Sequence, residues 1–391
     1  MKKKWKTPNL NKCREKISEW WNASATLSFR GKTFTLLPAR LGLILVASLL
    51  LLVFLINLLL IPSRRLRTIN MDFETGGVYS MTPLNQDILM YNKQHIKAVN
   101  TKGKTLWSID TALSLPLVET GGDYVLAADL GGNNFAALYR DGTLLQEFKL
   151  GNDIISAKVN SKGDTVFATA TDGYKGKITV MDKKGKELFS WNSGDGYIMD
   201  VAINKNGRYL AVAQLISSGS QASSRIQFID LHQKKVIQSA DRPNTVIGEI
   251  RFSEGRLLSV SDTELCGFSD RGRLQYTVSF AGKKPGKYDI SGDKILAFVT
   301  ADNRGNAVLE LYSPNGKCKG QYHTDSAVGG LAVCGSTTAV SRQRDLLYIN
   351  QWGKLKKKIT SAHDVKSLGI FGDAKTILAV GSTSADIIRV R

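Results

Sequence analysis

The sequence predicts an all-β, eight-bladed β-propeller preceded by a single transmembrane α-helix. Three observations carry this: one long uncharged apolar run near the N-terminus, a strand-and-turn pattern that recurs seven times in one register, and eight further hairpin turns interleaved with it. A seven-bladed ring with a C-terminal extension is the alternative.

Residues 1–40 carry ten Lys/Arg against Glu15 and Glu19, and read as a basic cytoplasmic tail. Within it Leu10, Cys13, Ile17, Trp20 and Trp21 fall on one helical stripe, so a possible amphipathic helix over 9–22 would lie in an anionic headgroup layer. A basic unfolded topology signal is the alternative. From Leu41 to Ile61 the chain runs 21 residues without a charge, about 31 Å as a helix and enough for a bilayer core of ~30 Å. A cleavable signal peptide would have a shorter apolar region and a shorter leader. The Lys/Arg excess of the tail over Arg64, Arg65 and Arg67 places the N-terminus in the cytoplasm and the rest outside. Residues 62–66 form a short linker, which would hold one face or edge of the disc within a few tens of ångströms of the bilayer.

The propeller is assigned to residues 67–391. Its seven repeats centre on Gly103, Gly142, Gly185, Gln233, Gly272, Gly316 and Gly353, spaced by 39, 43, 48, 39, 44 and 37 residues, the interval of a four-stranded blade. Seven residues before each centre stands Ile96, Phe135, Ile178, Ile226, Leu265, Leu309 or Leu346. Four before it stands Val99, Leu138, Met181, Ile229, Phe268, Tyr312 or Ile349. Glycine at the centre supplies the positive φ that reverses a twisted hairpin, and Gln233 requires a different closure. The inner turns fall near Gln86, Gly122, Gly163, Gly207, Gly255, Gly292, Gly335 and Gly372, one more than the outer series. A strand over Arg67–Phe73 would supply the missing outer strand of the last blade and close a ring of eight without an open end.

The segment AVNTKGKTLW from Ala98 to Trp107 resembles the signature of quinoprotein-dehydrogenase-like (PQQ-like) repeats, with Asn100 where aspartate is usual, and AINKNGRYLAVA from Ala202 to Ala213 resembles the inner hairpin of WD40-like repeats. With its basic tail and single anchor, the chain also resembles an uncharacterised bacterial family of membrane-anchored β-propellers. The resemblance implies the fold and no reaction. Quinone-using members of the PQQ-like family hold their cofactor with adjacent cysteines, whereas Cys13, Cys266, Cys318 and Cys334 are all separate here. No cofactor is expected.

No catalytic, cofactor-binding or metal residue is assigned. His95, His232, His323 and His363 are dispersed among blades, no C-x-x-C pair is present, and no phosphate-binding loop or G-x-S-x-G elbow occurs. Asp200, Glu249 and Asp289 start consecutive inner-strand regions and are the carboxylates that an envelope hydrolase or lyase would use from the channel. The basic runs Lys354–Lys358 and Lys283–Lys287 point to anionic polymers or lipid, and SSGSQASS from Ser217 is a flexible insertion. The function expected is therefore a non-catalytic, membrane-anchored scaffold at the cell envelope that binds protein or an anionic polymer. A cytosol-facing scaffold is a further alternative. The lipid bilayer is a partner through Leu41 to Ile61, and nucleic acid is not expected.

Overall fold

The computed structural model describes residues 26–29, 32–35, 39–60, 64–70, 77–218, 221–283, 285–301, 307–324 and 326–390, with helix side chains described at 44–56. Two compact units divide the chain, Met1–Pro62 with Arg391 and Ser63–Val390.

In the first unit, strands Thr26–Phe29 and Lys32–Thr35 pair antiparallel, a hairpin the basic tail did not announce. The expected helix over 9–22 lies outside the described residues. Helix α1 spans Ala39–Leu60, starting after Pro38, and its side chains from Ile44 to Ile56 are all exposed. Among the described residues, which for this helix are those of 44–56, no helix is long and apolar enough to cross a membrane.

The second unit holds eight four-stranded antiparallel sheets. Blades 1 to 7 occupy 80–110, 116–149, 154–192, 197–242, 247–279, 285–323 and 330–360, each with its strands paired in chain order. Blade 8 joins Ser367–Ile370, Thr376–Val380 and Ser384–Arg389 to Arg64–Asn70 from the N-terminal side, in register Arg64↔Arg389 and Thr68↔Asp386. The seven-bladed alternative is therefore excluded. The closing strand starts three residues before the expected Arg67 and ends at Asn70, so the expected 62–66 linker is partly strand and 61–63 alone separate it from α1. Ile69 of this strand is buried in one apolar cluster with Ile387 and Leu378.

The first strand of each blade is the innermost. Tyr197–Ile203 lies against Ile154–Val159 and Ile247–Ser253, Gly330–Cys334 lies against Ser367–Ile370, and Ser367–Ile370 lies against Ser80–Leu84 to close the ring. Between blades the sheet faces bury their apolar side chains, as where Phe135 of blade 2 meets Phe167 of blade 3 with ring centres 4.4 Å apart. All seven residues at the −7 position are buried, and at −4 all but the half-buried Met181. Each −4 residue falls where the register of the third and fourth strands shifts, for example between Ala98 and Val99 or Gly267 and Phe268. The repeat read in the sequence is thus the bulged outer hairpin itself.

Gly103, Gly142, Gly185, Gly272, Gly316 and Gly353 all take positive φ. In blade 4 the positive φ moves from Gln233 to Lys234, and in the last inner turn it sits on Ala374 rather than Gly372. Asn100, Asp182 and Asn350, three residues before the glycine, each accept two turn amides on Oδ1 at 2.8–3.1 Å. That explains why Asn can replace Asp at position 100: the turn needs an acceptor and no charge.

Candidate functional site

Two features of the ring present chemistry. The first is a charged brace in the central channel, at the end where inner strands run into their first turns. Glu119 of blade 2, Lys158 of blade 3, and Glu249 and Arg251 of blade 5 all stand on innermost strands. Lys158 Nζ donates to Glu119 Oε1 at 2.5 Å, Arg251 Nη2 lies 3.9 Å from Glu119 Oε2, and Arg251 Nη1 lies 3.9 Å from Glu249 Oε1. Beside them opens a cavity of about 320 Å³ reaching Lys205, Glu254 and Asp293.

Burial lowers the proton affinity of Lys158, but Glu119 and Asp200 outweigh it and hold the ammonium above its ordinary range. Burial pushes the Glu249 carboxyl up against the opposing pull of Lys158 and Arg251. Asp200 is likewise raised by burial, with Lys158 opposing. Tyr288 is raised first by burial and then by the nearby Glu249 carboxylate.

Of the three carboxylates singled out from the sequence, the ring brings Asp200 and Glu249 into one electrostatic group and leaves Asp289 out. Asp200 accepts Ser156 Oγ at 2.7 Å and the Ile250 amide at 2.9 Å, tying blades 3, 4 and 5 together. Asp289 repeats this device in blade 6, accepting the Val333 amide of blade 7 at 2.9 Å. These bonds occupy both groups in holding the ring. Glu119, Lys158 and Arg251 were missed by the sequence reading. Their only trace is a charge on an otherwise apolar inner strand, and which blades would face one another was not visible.

The second feature lies at the opposite end, where the inner strands begin. Near the start of the innermost strand, blades 3, 4, 5 and 6 share a register shift that leaves Ile155, Met199, Gly248 and Gly286 unpaired. Such a bulge turns its extra residue outward, and only in blades 3 and 4 does that residue carry a side chain. Ile155 and Met199 are exposed, as are the neighbouring Tyr197 and Tyr174 at 57% and 52%. Lys175 Nζ bonds the Tyr197 hydroxyl at 3.1 Å and lies 4.6 Å from that ring's centre, linking the two blades. In blade 2 the buried Asp129 accepts the amides of Ser114 and Leu115 at 2.8 Å, and the loop it fixes exposes Leu115 at 59%. The result is an apolar, aromatic arc over blades 2 to 4.

The histidines stay dispersed. His95 Nδ1 pairs with Asp110 at 2.9 Å and His363 Nδ1 with Ser384 Oγ at 3.1 Å, in different blades. Cys266, Cys318 and Cys334 are free thiols, buried, exposed and half-buried in that order. Among the described residues no group of three or more His, Cys, Asp or Glu is placed to hold a metal ion.

A family model covers residues 67–390, nearly the whole ring. The chain belongs to DUF5711, a family of unknown function. No curated protein matches this DUF5711 chain. Among solved structures it is similar to the C-terminal WD40 domain of Sif2 (TM-score 0.61, 13% identity, 84% of this chain and 99% of that one). It is also similar to BamB from Moraxella catarrhalis (0.56, 14%, 84% and 98%) and to the β-propeller domain of Myceliophteria thermophila Cps50 (Swd1) (0.51, 12%, 84% and 100%). At these identities the likeness establishes the β-propeller fold and nothing of the function.

Proposed function

We propose that this DUF5711 chain is a non-catalytic, membrane-anchored scaffold whose propeller sits outside the cytoplasm and binds a protein partner through the arc of Leu115, Ile155, Tyr174, Tyr197 and Met199. The observation that carries the proposal is the shared bulge, which exposes large apolar side chains in two adjacent blades and bare glycine in the next two. Contiguous exposed apolar and aromatic surface on a rigid frame favours a protein interface. Helix α1, apolar on every side and exposed from Ile44 to Ile56, supports the anchor, since a helix of that kind needs an apolar surrounding. The Lys/Arg excess of residues 1–40 supports a cytoplasmic N-terminus.

A hydrolase or lyase built on the channel carboxylates is the weaker reading, because Asp200 and Asp289 already bond amides of neighbouring blades. Two measurements test the scaffold. Protease added to intact cells carrying a C-terminal tag should remove the tag; protection there with digestion after lysis would put the propeller in the cytosol. A photo-cross-linking residue at position 197 should give one defined protein adduct, lost when Ile155 and Met199 are both changed to Glu and not formed from position 363 across the ring. Equal adducts from both positions would overturn the arc as the binding surface.

A further inference from the structure

The two ends of the ring differ in charge. In an antiparallel four-stranded blade the first-to-second and third-to-fourth connections share one end, and the remaining loops share the other. The seven third-to-fourth turns, at 100–104, 140–143, 182–186, 231–234, 270–273, 313–317 and 351–354, hold eleven Lys/Arg and three Asp, a net of +8. The first-to-second turns on the same end but nearer the channel hold five of each sign, and so do the described loops of the opposite end. Among the turns and described loops the excess positive charge therefore lies on an outer circle at one end, and every one of its cations is exposed.

Apolar groups accompany it. Just past the turns, Leu106, Leu144, Leu188, Val236 and Leu274 begin the outermost strands of blades 1 to 5 and are all exposed. In blade 7 the turn itself exposes Trp352 at 58%, with Lys319 Nζ 5.2 Å from its ring centre. The chain also enters the ring at this end. Arg64 pairs with Arg389, the last residue of the third strand of blade 8, so the closing strand begins where the other blades make their basic turns. Behind it in sequence stand residues 61–63 and the apolar α1.

We propose that the basic turn end is a docking surface for an anionic phospholipid bilayer, with the propeller lying on the membrane from which its chain emerges. Cations act on an anionic leaflet within about one Debye length, ~10 Å at 0.1 M salt, and interfacial aromatic and aliphatic side chains add contact at the headgroup level. Neither charge nor apolar groups alone would select lipid. A soluble polyanion would match the lysines but leave the Leu and Trp side chains in water, and a protein partner would not require the whole circle. This inference rests on the proposed membrane anchor and is independent of the aromatic arc, which lies on the other end and stays free for a protein.

The test is hydrogen–deuterium exchange on the full-length chain in phospholipid nanodiscs, made either of phosphatidylcholine alone or of phosphatidylcholine with phosphatidylglycerol. Amides of the turns at 100–104 and 182–186 should exchange about fivefold more slowly in the anionic discs, and the difference should vanish at high salt. Changing Lys102, Lys104, Lys183, Lys184 and Lys186 together to Gln should abolish it, whereas Lys93→Gln with Lys366→Gln on the opposite end should not. Unchanged exchange of the buried strands in lipid-free samples verifies that the variants fold. Equal protection on both lipid mixtures, protection of the opposite loops instead, or protection by free polyphosphate without effect of anionic lipid would each overturn the proposal.

Discussion

Glu119 and Arg251 meet at 3.9 Å although they stand on the inner strands of blades 2 and 5, three blades apart in a ring of eight. Each uses a second contact nearer home, Glu119 to Lys158 at 2.5 Å and Arg251 to Glu249 at 3.9 Å. The four charges form a strut across the channel with side-chain exposures of 16–35%, and losing Glu119 leaves Lys158 without its nearest acceptor.

Glu119→Ala should accordingly destabilise the protein by about 1–3 kcal/mol by leaving the Lys158 ammonium without its nearest acceptor. Adding Lys158→Met should recover most of that loss. Chemical denaturation of the two single variants and the double variant gives the coupling; purely additive losses would show that the strut is not a unit.

The channel also carries a pH signature. Burial raises the folded-state Glu249 carboxyl above its unfolded value, so between the two values the folded chain holds more protons than the unfolded one. Its contribution to stability therefore falls as pH rises from the ordinary carboxylate range through the folded value. Glu249→Gln should remove that decline. Denaturant midpoints measured from acid to neutral pH check this, and an unchanged slope would contradict it.

Ring closure depends on Asp386, which is fully buried and accepts Thr68 Oγ1 of the N-terminal strand at 2.6 Å and Ser361 Oγ at 3.1 Å. Asp386→Ala leaves both hydroxyls without this acceptor and should cost about 2–3 kcal/mol. Thr68→Ala should cost less, because it removes only one donor. The order of their melting temperatures tests the assignment.

Two turn positions should respond in opposite directions. A Cβ on Gly272, at φ +90°, would stand 2.5 Å from the Phe228 ring, so Gly272→Ala should be destabilising by about 1–3 kcal/mol. Lys234 bears a side chain at φ 53°, and Lys234→Gly should stabilise by about 1 kcal/mol through relief of the left-handed backbone. Equilibrium unfolding of each variant measures the sign directly.

Thiol chemistry separates the cysteines of the ring. Burial pushes the Cys266 thiol up to about 11, while Cys318 is exposed on the outermost strand of blade 6. A thiol-specific reagent at neutral pH should label Cys318 rapidly and Cys266 only on unfolding, as read by peptide mapping.

The outer turns and the strand that closes the ring were legible in the sequence, because the turns rest on local chemistry that repeats, an apolar residue at −7, another at −4 and a residue able to take positive φ, whereas eight blades against seven was settled by the pairing of Arg64–Asn70 with Ser384–Arg389. The positive φ falls one residue after Gln233, at Lys234, and two after Gly372, at Ala374, and the sequence did not show either shift, since neither residue advertises a left-handed backbone as glycine does. The role of Asp200 was half legible, as a carboxylate on an inner strand, but its commitment to the Ile250 amide was not. Folding of the whole ring is what brings Glu119 to Arg251, exposes Ile155 and Met199 at the inner bulge, and gathers the basic turns on one end with Arg64. Those relationships depend on curvature and register summed over several blades, and a ring closes such sums into contacts that no neighbouring stretch of sequence encodes.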